Sequence, residues 1–220
     1  MNILVACEES QRVCIAFRNR GHRAFSCDII DCSGNHPEWH IKQDVLPLLD
    51  GHCDFTTCDG ITHKVEGKWD MIIAFPPCIY LTAAGAVRLY PQKGVLDPER
   101  YALGVKAAEF FTTILNADCE KIVVENPTPL KVFNLPKYNQ VIEPFMFGEP
   151  YKKRTCLWLK GVSQLRPTEI VTEGIINWVN AGSKDGNGNK RKGTTTNFRD
   201  SKNRSKTFEG VALAMAEQWG

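Results

Sequence analysis

The chain has 220 residues, 43% apolar and 24% charged, which supports one sizeable α/β domain with room for a small appendage. The opening Met1-Asn-Ile-Leu-Val-Ala-Cys-Glu-Glu-Ser10 lacks a basic leader and soon meets two acids, which excludes a secretory signal, and no run is long and apolar enough to span a membrane. The net charge is only +2, yet eight of the cations and two of the acids fall between residues 183 and 206, a local +6 that leaves −4 elsewhere. That asymmetry points to a polyanion contact or, alternatively, to a solvated basic loop. The nine cysteines are odd in number and several lie inside apolar runs, as reduced thiols do in a cytoplasm.

In chain order, Asn2–Cys7 is a short apolar strand, and Gln11–Arg20 places Val13, Ala16 and Phe17 at helical spacing before Gly21 stops it. Arg23–Ile30 is a second strand with Asp28 near its end. Strand, helix and strand within about thirty residues is the opening of a nucleotide-binding α/β fold, where such an acid accepts hydrogen bonds from ribose hydroxyls; a plain turn carboxylate is the alternative. His36–Leu49 holds a short third strand ending in Asp44. Residues 53–66 alternate around Asp59-Gly60, the signal of a two-residue hairpin inserted before the next strand. Its Cys53, Cys58 and His63, with His52 nearby, match no standard zinc spacing, so no metal is expected.

Trp69–Phe75 is a buried strand, and Pro76-Pro77 ends its pairing, because proline cannot donate to a ladder. Cys78 then falls at the carboxyl end of a central strand, where open α/β sheets bind ligands; a small buried hydrophobe is the competing role. Residues 82–94 form a loop with Arg88 and Tyr90 available for contacts, and Asp97-Pro starts a helix running to about Leu115. Lys121–Val124 is a fifth strand followed by Glu125-Asn126-Pro127. Neighbouring parallel strands bring Cys78 and Glu125 to one edge, and a thiol beside a carboxylic acid suits covalent attack assisted by proton donation. The thiol needs its pKa lowered, by a helix N-terminus after Pro-Pro-Cys or by a nearby cation, while Glu125 suits binding a base edge or shuttling a proton, unless it caps the next helix. Gln140–Phe147 and Thr155–Leu159 are closing strands, separated by a stretch with three consecutive cations, Lys152, Lys153 and Arg154. Residues 181–206 are rich in Gly, Asn, Lys and Thr, and 205–219 is an amphipathic helix.

With Trp69-Asp-Met-Ile-Ile-Ala-Phe-Pro-Pro-Cys78, Val124-Glu-Asn-Pro, Phe147-Gly-Glu-Pro-Tyr-Lys-Lys-Arg-Thr-Cys-Leu-Trp-Leu-Lys-Gly161 and Arg204-Ser-Lys-Thr-Phe, the chain resembles the DNA cytosine carbon 5 methyltransferases, in particular their short phage and prophage members. The resemblance covers most of the chain. It implies a Rossmann-like, three-layer α/β/α sheet that binds S-adenosyl-L-methionine, with 1–160 and 207–220 as the catalytic domain and 161–206 as a small basic segment contacting DNA, in a bacterial host cytoplasm. By the same resemblance Cys78 attacks carbon 6 of the base, Glu125 holds the ring nitrogen and exocyclic amine, and Arg154 fixes the base carbonyl. Asp28 binds the cofactor ribose with Ile29 beside it, Asp44 the adenine amine with Val45 beside it, Phe75 and Pro76 the methionine side, and Ala6, Cys7 and Glu8 form the first turn. Contacts to DNA fall to Arg88, Lys152, Lys153, Lys190, Arg191, Lys192, Arg204 and Lys206.

The chain departs from that family in three places. Its first turn has no glycine before Gly21, Tyr151-Lys-Lys-Arg154 stands where the larger enzymes carry Gln-x-Arg-x-Arg, and only 161–206 is available in place of a long target-recognition domain. Two other readings remain open: a nucleic-acid-binding relative that has lost catalysis, and a modifier of free cytosine nucleotides.

Overall fold

The computed structural model describes residues 1–82, 86–173, 177–179 and 201–220. The first strand, β1 (Asn2–Ala6), has Ile3, Leu4, Val5 and Ala6 wholly inaccessible, as a central strand covered on both faces requires. Helix α1 (Arg12–Asn19) buries Val13, Cys14, Ala16 and Phe17 and ends before Gly21, whose φ of +83° a side chain would disfavour. Strand β2 (Arg23–Asp28) closes on Asp28, and β3 (His40–Lys42) is shorter than its segment suggested, because a 3-10 turn at Pro37–Trp39 occupies the approach.

Strands β4 (Cys53–Thr56) and β5 (Thr62–Val65) form the hairpin, but Thr56 pairs with Thr62, so five residues connect them and not two. Asp59 explains the longer turn: its carboxylate accepts from the Thr57 hydroxyl at 2.6 Å and from the Ile61 amide at 3.2 Å. Strand β6 (Met71–Ala74) is entirely buried, and a four-residue helix α2 (Ala86–Leu89) lies within the stretch read as loop. Helix α3 (Pro98–Leu115) begins at Asp97, which accepts from the Arg100 amide at 2.7 Å. The remaining elements are β7 (Ile122–Asn126), β8 (Gln140–Ile142), β9 (Tyr151–Lys152), β10 (Thr155–Lys160), β11 (Asn177–Trp178), α4 (Ser201–Ser205) and α5 (Glu209–Trp219). Strand β8 stops short of Phe147, because Pro144 starts a 3-10 turn.

Seven strands form one sheet in the order β3-β2-β1-β6-β7-β10-β8. The first five run parallel, and β10 is antiparallel to both of its neighbours. Helix α3 covers one face with Phe111 and Ile114, and α1 and α5 cover the other with Phe17, Val211 and Met215, giving a three-layer, Rossmann-like α/β/α sandwich. From β1 the chain winds outward to β2 and β3, then returns to build β6 and β7 on the other side. The switch point therefore lies between the carboxyl ends of β1 and β6, where such sheets form their ligand crevice.

Residues beyond Gly161 begin as part of this same body. Leu165 is buried in the α1/α5 face, its amide donates to the Gln140 side chain at 2.8 Å, and the Trp219 indole donates to Ser163 O at 3.0 Å. No described helix is long and apolar enough to cross a membrane.

Candidate active site

The turn leaving β1 does without glycine at a cost in backbone strain. Cys7 (φ 57°) and Gln11 (φ 59°) both take left-handed conformations, each costing on the order of 1–3 kcal/mol. Side chains hold the turn in place. The Glu8 carboxylate, 3% exposed, accepts from the Val13 amide at 2.7 Å and the Cys14 amide at 3.2 Å, tying down the first turn of α1. Gln11 donates to His36 O at 2.8 Å and to Ser26 Oγ at 3.2 Å, and accepts from the His36 amide at 3.1 Å. Glu8, expected at the cofactor turn, spends both of its carboxylate oxygens on the end of α1.

Asp28 ends β2 with its carboxylate accepting from the Ile30 amide at 3.3 Å, and burial raises its pKa. Ile29 next to it is 73% exposed, an apolar surface left bare at the edge of the crevice. Asp44 is exposed beyond β3 and accepts from the Leu46 amide at 3.1 Å. Val45 was expected beside the cofactor, but at 4% exposure it belongs to the α3-side core. Ala6 is likewise a buried strand residue whose carbonyl accepts from Phe75 N at 3.0 Å. Asp28, Ile29, Asp44, Phe75 and Pro76 all fall at the carboxyl edge of the parallel strands.

The same register that pairs Ala74 with Val124 brings Cys78 and Glu125 together, close enough for the Glu125 carboxyl to act on the Cys78 thiol. Asn126, buried and unassigned by the sequence, donates from Nδ2 to Pro76 O at 2.8 Å, which fixes the Pro-Pro turn to the end of β7. Glu125 borders a cavity of about 20 Å³ with Phe75, Lys153, Thr155, Phe208 and Met215, room for about one water. Burial of its carboxyl raises its pKa, so it holds its proton more firmly than an exposed glutamate; Lys153 and Thr155 oppose that.

Two expectations need correction here. No helix starts after Pro-Pro-Cys: residues 79–81 form a turn, and the Cys78 thiol is pushed above its ordinary pKa by burial and by Glu125, with Lys153 and Arg204 pulling the other way. The cation beside the pair is Lys153, and Arg154 is on the other face of the sheet. Glu125 pairs with Leu157, whose side chain packs on the α5 side, so Lys153 and Thr155 share that side by alternation. Arg154 alternates with Cys156 toward the α3 side, is exposed, and donates to Thr128 Oγ1 at 3.3 Å.

Of the expected DNA contacts, Arg88 is exposed on α2, Lys152 lies in β9, and Lys206 borders a separate cavity of about 340 Å³ with Arg12 and Tyr151. Arg204 reaches the neighbourhood of Cys78. Lys190, Arg191 and Lys192 lie outside the described residues. At the β1 turn, Glu9 carries no sequence signal of its own, yet both of its carboxylate oxygens are buried with no hydrogen-bond partner among the described residues, as is the Ser33 hydroxyl.

No protein-family model matches the sequence, and no curated protein matches it. Among solved structures, the chain is similar to a methyltransferase of Entamoeba histolytica, EhMeth, at 15% identity and a TM-score of 0.43, over 78% of this chain. The match spans 57% of the length of that structure.

Proposed function

We propose that the chain transfers a methyl group from S-adenosylmethionine to carbon 5 of cytosine in DNA, with Cys78 as the nucleophile. The observation that carries this reading is the meeting of Cys78, Glu125 and Lys153 one strand away from the sheet's switch point. Cys78 gives up its thiol proton to water, its Sγ bonds to carbon 6 of the ring, and the displaced electron pair moves onto carbon 5. A protonated Glu125, which burial favours, donates to the ring nitrogen and places no negative charge against the forming thiolate. Lys153, in the role the family gives to an arginine, favours the thiolate and faces the base carbonyl. After methyl transfer water takes the carbon 5 proton, the C–H pair restores the carbon 5–carbon 6 double bond, and Cys78 leaves as the thiolate.

The crevice residues suit the cofactor: Asp28 for the ribose, Asp44 for the adenine amine, bare Ile29 under a flat base, and buried acceptors at Glu9 and Ser33 awaiting donors. S-adenosylmethionine, when bound, supplies an electrophilic methyl group on its sulfonium. A cytosine in a duplex leaves its stack to reach Cys78, at a cost of a few kcal/mol, and the basic segment that ends in Arg204 and Lys206 supplies phosphate contacts toward that cost.

The test is mass spectrometry of nucleosides from DNA incubated with the protein and methyl-labelled cofactor, together with trapping on DNA containing 5-fluorocytosine. Labelled 5-methylcytosine and a covalent adduct that disappears in Cys78→Ser are the expected results. Wild-type methylation by Cys78→Ser would end the covalent mechanism. A second reading, a nucleic-acid-binding relative without catalysis, is favoured by the raised thiol and by the small cavity at Glu125, which admits a base only if Phe208 or Thr207 withdraws. Calorimetry that detects DNA binding and no heat from millimolar S-adenosylmethionine would establish it.

A further inference from the structure

Glu9 stands out as a buried carboxyl group whose oxygens the fold does not use among the described residues. It is 9% exposed, and neither oxygen of its carboxylate has a hydrogen-bond partner among the described residues. Its backbone is employed, since Glu9 O accepts from the Ser33 amide at 2.7 Å, while its side chain holds nothing. The acids Glu8 and Asp28 are both within electrostatic reach of it. Arg12, the nearest cation along the chain, donates from Nη1 to Thr207 O at 2.6 Å. The loop after β2 closes directly on this turn: a Cβ on Gly34 would meet Gln11 Cβ at 2.6 Å and Ser10 O at 2.8 Å. The Ser33 hydroxyl, also buried and unpartnered, is carried on that loop.

An uncompensated buried carboxylate is expensive, and natural folds keep one where a ligand completes it. The unfilled groups here are two carboxylate oxygens and a hydroxyl, which call for a donor, and an ammonium group offers them three N–H bonds where a ligand hydroxyl offers one O–H. Asp28 already stands at the end of β2 for hydroxyls, whereas Glu9 is on the turn leaving β1, a strand nearer to β6 and Cys78. We infer that Glu9, with the Ser33 hydroxyl beside it, receives the α-ammonium of S-adenosylmethionine. The carboxylate thereby takes over at a side chain the hold that a glycine-rich turn makes with its backbone. This assignment rests on the cofactor reading above.

Calorimetry on the full chain and on Glu9→Gln, with S-adenosylmethionine, S-adenosylhomocysteine and 5′-methylthioadenosine, tests it, because the last ligand keeps the ribose and adenine but has no amino acid. The variant is expected to weaken the first two by about tenfold or more and to leave the third within about twofold. Without ligand its Tm should equal or exceed that of the wild type, since the side chain makes no hydrogen bond among the described residues for the change to break; Glu9→Ala should repeat the ligand pattern. Equal weakening of all three ligands, no weakening at all, or a lowered ligand-free Tm with unchanged affinities would overturn the inference. Failure of the wild type to bind any of the three would instead remove the cofactor reading and this assignment together.

Discussion

Replacing Glu8 with glutamine isolates one proton whose location the fold dictates. In the folded chain two forces act on the Glu8 carboxyl. The Val13 and Cys14 amides, at 2.7 and 3.2 Å, favour the anion, and burial favours the acid. Burial wins, and the pKa is pushed up to about 8 from an ordinary value of 4.5. Between those values the folded state keeps a proton that the unfolded state has released. Glu8 therefore contributes stability that is complete below the unfolded value and is lost as pH rises toward about 8. At about 1.4 kcal/mol for each pH unit, the loss across that window is bounded at about 5 kcal/mol. Glu8→Gln removes the titration, and its amide can serve Val13 but sets an N–H against the Cys14 amide, a pH-independent cost of about 1–3 kcal/mol. The wild type should be the more stable at pH 5, and its advantage should shrink steadily to pH 8 and vanish or reverse there. Urea midpoints for both proteins from pH 5 to 9 give that difference directly, with the other titrating groups cancelling. A flat difference, or a wild-type advantage that grows with pH, would refute the reasoning and return Glu8 to an ionised helix cap.

Three further predictions concern the catalytic edge. Lys153→Met should raise the Cys78 pKa further and slow trapping on 5-fluorocytosine DNA by about tenfold or more at neutral pH, whereas Arg154→Met should leave the pH profile of trapping in place; the reverse order would show that the strand register has been misread. Because the Cys78 thiol titrates above its ordinary value, the rate of adduct formation should climb with pH through and beyond 9, and a plateau below pH 8 would mean that the thiol is activated after all. Asn126→Ala should cost about 1–3 kcal/mol in chemical denaturation by leaving Pro76 O unpaired in the interior, and should reduce trapping more than binding of the cofactor. Equal losses in both would make Asn126 a core residue with no special hold on the Cys78 turn.

Much of the architecture could be read from the chain because parallel strands announce themselves. Asn2–Ala6, Met71–Ala74 and Ile122–Asn126 are apolar on both sides and are punctuated by proline or acid, so the order of sheet and helix follows from local pattern. The Cys78–Glu125 pair was legible for the same reason: both follow buried strands, and neighbouring parallel strands share an edge. Lys153 was harder. Three adjacent cations carry no indication of which faces the site until the register of β10 against β7 is known, and alternation then decides it. Glu8 and Glu9 look alike in sequence, and only the geometry shows one carboxyl bonded to a helix end and the other with no hydrogen-bond partner among the described residues. The hairpin turn was misjudged because Asp59 organises a wider loop through Thr57 and Ile61 than its Asp-Gly pair suggests.

The packing of α5 has a consequence for how the chain reaches this state. The face of the sheet that α1 begins to cover is completed by Val211, Met215 and Trp219, and Gln218 exchanges hydrogen bonds of 2.8 Å with both the amide and the carbonyl of Arg166. Strand β1 is at the middle of the sheet, yet half of its covering arrives some two hundred residues later. During synthesis the central strands are therefore held with one apolar face bare until α5 has been made. Pairings of such long range are slow to close, so loss of the last turn of α5 should yield an aggregating chain and not merely a less stable one.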